Sequence, residues 1–184
     1  MDPDNKMNDR FITDFLIANG MSEPTANFIG ITATIILILL LAYASYWITK
    51  RYMVHAIEII FQRSKNTWDD ALVQHGFVRR LSLLMPIIVV YMSADLMLPG
   101  QAMTSELFKR LAMVFFVFAG VWMLDAILLA IREIYNKSDV SIRRPIRGYL
   151  DGIKIIAYAM AGIFIVSILT GKSPWGVLSI LGGF

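Results

Sequence analysis

Not one cysteine occurs among the 184 residues, so disulfides, thiolate metal sites and cysteine nucleophiles are excluded together. Histidine is nearly absent: His55 and His75 stand without an HExxH pattern or a matching carboxylate motif, which argues against a metal centre. There is no glycine-rich phosphate loop, no GxSxG elbow and no converging nucleophile and base, so no cofactor, metal or enzymatic reaction is expected. Charge is scarce as well: 17 basic residues stand against 14 acidic ones. That excess is too small for a nucleic-acid binder, and the basic residues cluster beside apolar runs without lining one polar face.

What is abundant is apolar surface. Hydrophobic residues make up 57% of the chain and mean hydropathy is +0.62, well above the roughly 45–50% apolar content of soluble domains. Residues 24–49 carry no charge over 26 positions, whereas about 20 suffice to cross a bilayer. Further spans are expected over 81–98, which contains Pro86 and Asp95, over 111–131, which contains Asp125, and over 155–171, extended back toward Gly148. Residues 174–184 are apolar but only 11 long, as a fifth span cut short would be. The expected fold is therefore an all-α integral membrane bundle of four complete transmembrane helices plus the truncated start of a fifth. The first apolar run is too long for a signal-peptide core, so no cleavage is expected.

Short cytoplasmic loops hold an excess of lysine and arginine. Residues 50–80 and 132–154 carry six each, against two in 1–27, two in 99–110 and Lys172 alone near the end. This asymmetry places the N-terminus outside the cytoplasm. It divides the chain into an extracytoplasmic segment (1–27), a first hairpin with a cytoplasmic loop (28–110), a second hairpin (111–171) and the start of a last helix (172–184). Within the first segment, Phe11, Ile12, Phe15 and Leu16 recur at helical spacing between Asn8 or Asp9 and Gly20, which fits a short helix on the outer leaflet or, equally, a loosely ordered tail.

Few residues offer chemistry. Thr67, Asp69 and Asp70 have the spacing of a capping box that starts the helix leading into the second span. Capping is favoured over acid–base work, because neighbours at i and i+1 on a helix do not converge. Asp95 and Asp125 are costly inside spans and hence candidates for function, although structural pairing is favoured over proton relay, with Asp125 facing the bundle or a cytoplasmic basic residue. Small residues four apart, Gly148 with Gly152 and Ala157 with Ala161, predict that the fourth span is packed on protein; Gly30 and Thr34 have the same spacing on the first, where it fits ordinary packing. Tyr46, Trp47, Tyr52, Trp68, Tyr149 and Trp175 fall near expected interfaces. Arg143, Arg144 and Arg147 form the densest basic cluster, either as topology determinants or as anchors to anionic headgroups.

The ordered set Asn66-Thr67-Trp68-Asp69-Asp70-Ala71-Leu72, then Arg144-Pro145-Ile146-Arg147-Gly148-Tyr149-Leu150, then Lys172-Ser173-Pro174 leading to Leu178-Ser179-Ile180-Leu181-Gly182-Gly183-Phe184 resembles the miniconductance branch of the small-conductance mechanosensitive channels. The resemblance covers nearly the whole chain from the first span onward, and its specificity lies in the order, not in any one motif. It implies a homoheptamer in a bacterial inner membrane that opens under tension and releases ions and small osmolytes on hypo-osmotic shock. It further implies that the third and fourth helices form a lipid-facing paddle, with Arg143, Arg144 and Arg147 anchoring its inner turn. Gly171 and Pro174 would then flex its connection to a pore helix, and Gly182 and Gly183 would lie at a close contact around the axis. The apolar constriction is expected just past Phe184, followed by a cytoplasmic vestibule. Two rivals remain: a membrane anchor or sensor for a further soluble domain, and a secondary transporter, which would want inverted repeats that are not visible here.

Overall fold

A Ser22-Glu23-Pro24-Thr25 sequence suits the first turn of a helix. Thr25 Oγ1 donates to the Ser22 carbonyl at 2.8 Å, an acidic residue meets the positive helix end, and proline falls in the first turn, where its missing N–H costs nothing. In the computed structural model, which describes residues 11–63, 67–97, 102–136 and 146–183, this start opens the longest uninterrupted apolar helix. The elements run α1 (Phe11–Ala18), α2 (Glu23–Arg63), α3 (Thr67–Gln74), α4 (Phe77–Leu81), α5 (Leu84–Met97), α6 (Ala102–Asn136), α7 (Arg147–Thr170) and α8 (Pro174–Gly182). Among the described residues, four spans are long and apolar enough to cross a membrane: Glu23–Ile57, Phe77–Ala94, Ala102–Asn136 and Arg147–Thr170. Leu39, Leu40, Phe115, Phe118, Ile155 and Ile156 are all more than half exposed, an exterior suited to lipid and not to water. By length and composition, these four helices suggest a multi-pass membrane protein.

The helix boundaries differ from the sequence expectation in instructive ways. α2 does not stop where the charges begin at Lys50 but continues to Arg63, some 20 Å further at 1.5 Å per residue. Charge ends a membrane span without ending a helix, and no glycine or proline follows Lys50 until the helix is over. Lys50 and Arg51 lie over the rings of Tyr46 and Trp47, one turn back, at 5.7 and 5.3 Å. That arrangement sets each cation over an aromatic face, a favourable contact for an exposed charge.

A helix does begin at Thr67, but it does not lead directly into the second span. α3 ends at Gln74, the chain turns through Gly76 with φ 72, and α4 is only five residues long. A second break follows at Ser82 and Leu83. Pro86 explains it: proline has no N–H to give the carbonyl four residues back, at Ser82, and its ring crowds that turn. The buried Ser82 hydroxyl donates to the Arg79 carbonyl at 2.7 Å, supplying a freed acceptor in an apolar setting.

Among the described residues the helices form a row, not the bundle expected from sequence. α5 lies between α2 and α6, α7 touches only α6 and α8, and α8 touches only α7; α3 and α4 extend the α5 layer against α2 and α6. Two small-residue stripes allow close approach. On α6, Ser105, Ala112, Ala119 and Ala126 are buried at seven-residue intervals, two turns each, so the stripe keeps to one face of the helix. On α2, Ala26, Gly30, Ile38 and Ala42 are buried at multiples of four. α1 folds back onto this second stripe through Gly20, where φ is 88. A Cβ on Gly30 would stand 2.5 Å from Thr13 Oγ1, so a larger residue would force the Thr13 side chain aside where α1 docks. The N-terminal segment is thus held by a helix contact and is not a loose tail over residues 11–18.

The fourth span corrects a further expectation. α7 is the least enclosed of the four, and a Cβ at Gly148, Gly152 or Gly162 would meet nothing within 4 Å. Only Ala161 and Ser167 of α7 are buried. At the end of a row a helix has one long neighbour, so most of its small-residue face stays open.

Candidate functional site

Among the described residues, polar contacts gather along the α6–α7 hairpin. α6 stays helical for 35 residues because it holds no proline and a single glycine among strong helix formers. That rigid rod carries polar side chains to both sides of the row. Toward the C-terminal half of α6, Asp125 meets Lys154 of α7 with Nζ–Oδ1 at 2.7 Å, and the Lys154 ammonium also lies 5.6 Å from the Tyr158 ring centre. On the other side of α6, the Arg80 guanidinium donates to the Trp122 carbonyl, and His75 Nε2 meets Glu133 Oε2 at 2.7 Å. Glu133 continues the seven-residue stripe past Ala126, so α3 is tied to α6 where the alanine contacts end.

At the opposite end of the hairpin, Arg110 Nε bonds Glu106 Oε1 at 3.0 Å, one turn back on α6. Its Nη1 donates to the Leu169 carbonyl in the last turn of α7 at 3.4 Å. A cation there satisfies a carbonyl with no partner further along the helix and suits the negative end of the dipole. α6 and α7 are therefore joined by charged contacts near both ends.

Next comes the connector to α8. Gly171, with φ 67, closes α7 in the left-handed conformation that glycine adopts without strain. Ser173 accepts the Gly176 amide at 3.1 Å, and Pro174 occupies the first turn. Ser167 donates to the Lys172 carbonyl. Gly171 and Pro174, expected to flex, are brought together here at the bounds of a short link that is fixed by caps on both sides. α8 presents Gly182 and Gly183 exposed at its end; a Cβ on Gly182 would meet nothing, whereas one on Gly183 would lie 3.0 Å from the Ser179 carbonyl. An apolar groove between α7 and α8 is lined by Ala159, Gly162, Val166, Val177 and Ile180 among others.

Of the remaining sequence candidates, Arg147 is exposed as the first residue of α7, while Arg143 and Arg144 lie outside the described residues. Asp70 is exposed on α3, and the backbones of Thr67 and Asp69 are helical; their side chains, and that of Asp95 near the end of α5, also lie outside what is described. No group of three or more potential metal ligands occurs among the described residues. Sequence reasoning missed Arg110 and Glu133 and counted Lys154 only toward topology. The signal for Lys154 was present, since a lysine seven residues into an apolar helix wants an acidic partner at the same depth. No family model and no solved structure matches the chain.

Proposed function

We propose that this chain is the membrane portion of a tension-gated channel subunit that releases ions and small osmolytes under hypo-osmotic shock. The observation that carries the reading is the end of the row: a hairpin cross-tied at Asp125–Lys154 and at Arg110–Leu169, followed by a short capped link to an apolar helix that touches only α7. Tension does work on any in-plane area difference between two states, so it favours the wider one, and differential area plays the part of a ligand. Among the described residues α7 packs on α6 and α8 alone, so that side of the hairpin is open to lipid, and ties near both ends couple its movement to α6. α8 would follow through the Gly171–Pro174 link and line a pore built from several copies, seven by the resemblance. An apolar constriction closes such a pore by dewetting and needs no charged gate. Arg143, Arg144 and Arg147 would hold the inner turn of the hairpin to anionic headgroups. The N-terminus would lie outside the cytoplasm of a bacterial inner membrane.

One observation favours a second reading. The Asp125–Lys154 pair between adjacent spans is the kind of group a proton-coupled transporter uses. Patch recordings from liposomes holding the full-length protein separate the two. Suction-activated currents that vanish on release support the channel, and silence up to lytic tension rejects it. Saturable, substrate-coupled flux without suction would establish the transporter.

A further inference from the structure

The link between α7 and α8 is restrained from α6, a helix that α8 itself does not touch. Three observations converge on Arg110. Its Nη1 reaches the Leu169 carbonyl at 3.4 Å. Its Nη2 lies 3.6 Å from where a Cβ on Gly171 would stand, so the guanidinium rests against the residue at which the chain leaves α7. Its Nε is held by Glu106 at 3.0 Å, one turn back on α6. An exposed i,i+4 pair adds little stability. Its consequence is orientation: a planar guanidinium gripped at one edge presents the other edge in a fixed direction.

We propose that Glu106 and Arg110 form a latch that sets the angle at which α8 departs from α7. The latch holds the Leu169 carbonyl and rests against the left-handed Gly171 from the α6 side, while Ser167, bonded to the Lys172 carbonyl, holds the same link from within α7. Glu106 acts as a positioning residue for Arg110. Hinges are few-residue segments that absorb backbone rotation, and the link 171–173 is the one segment between α7 and α8 free of helix. Whatever releases Arg110 frees α8 to rotate without disturbing the α6–α7 packing, because the Asp125–Lys154 tie lies near the other end of the hairpin. Any effect on gating rests on the channel reading; the latch itself does not.

The chain has no cysteine, which makes paired labelling clean. Spin labels at Met103→Cys on α6 and Ile180→Cys on α8, in full-length protein diluted with unlabelled copies in liposomes, report the departure angle of α8. A control pair at Phe118→Cys and Phe164→Cys reports the α6–α7 packing. Arg110→Gln is expected to broaden the 103–180 distance distribution roughly twofold with the control pair unchanged. Glu106→Gln should act in the same direction and less strongly. Should Arg110→Gln express poorly, Arg110→Lys, which keeps the charge but not the two-edged grip, is expected to give the smaller broadening. A 103–180 distribution that matches the unsubstituted protein overturns the latch, as does equal broadening of the control pair, which would make Arg110 a general tie of the hairpin. A protein that ignores suction yet shows the selective broadening would reject the channel reading and keep the latch.

Discussion

Lys154→Met is expected to destabilise the membrane-inserted protein, and Asp125→Leu in the same chain is expected to restore most of the loss. The asymmetry follows from what is left behind. With Lys154 gone, the Asp125 carboxylate, 19% exposed beside α7, has lost its 2.7 Å partner in a helix flanked by apolar side chains. An unpaired acid in a span costs about 2.5–3.5 kcal/mol at the bilayer centre and less toward the ends, so a loss of about 1–3 kcal/mol is expected here. Removing both charges removes the problem, since a well-packed apolar pair can replace an ion pair nearly neutrally. Thermal unfolding in mild detergent, with the yield of inserted protein alongside, measures the cycle. Single and double variants equally stable with the unsubstituted chain would show that the pair is idle.

Ala126→Leu should be at least as damaging, for a different reason. Ala126 is fully buried and sits in the seven-residue stripe through which α6 meets its neighbours on the α5 side. Three extra carbons there have nowhere to go without pushing a helix outward, and overpacking of this kind costs about 1–3 kcal/mol. Phe118→Leu, on the exposed side of the same helix, is the matched control and should unfold at the unsubstituted temperature. If both variants behave alike, the stripe does not hold the row together.

These two cases mark how far the sequence could be read. Apolar stretches long enough to span were legible because their length and lack of charge are local properties, whereas the spacing from Phe11 to Gly20 left a short helix and a loose tail equally open. The breaks in the second span were legible in principle: Gly76 and Pro86 stood in plain view, but a continuous apolar run outweighed them. The reach of α2 to Arg63 was not, since charge limits membrane depth and says nothing about where a helix stops. Pairing was the least accessible. Small residues on α6 and on α7 look alike in sequence, yet the first set is buried and the second open, because burial depends on which helix lies alongside. For the same reason Asp125 could be singled out as costly while its partner Lys154, on another helix, passed as a topology marker. Arg110, at an expected interface, resembled any other interfacial cation until the end of α7 was found against it.

The threading of the chain through the membrane underlies the channel proposal, and the lack of native cysteine makes it directly measurable. Single cysteines at Met103 and Lys172, and separately at Asn136 and Tyr149, can be probed with a membrane-impermeant maleimide on intact spheroplasts. Labelling of 103 and 172 from outside, with 136 and 149 reacting only after permeabilisation, is the predicted result. Labelling of 103 and 149 from the same side would contradict it, and with it the hairpin on which the channel proposal is built.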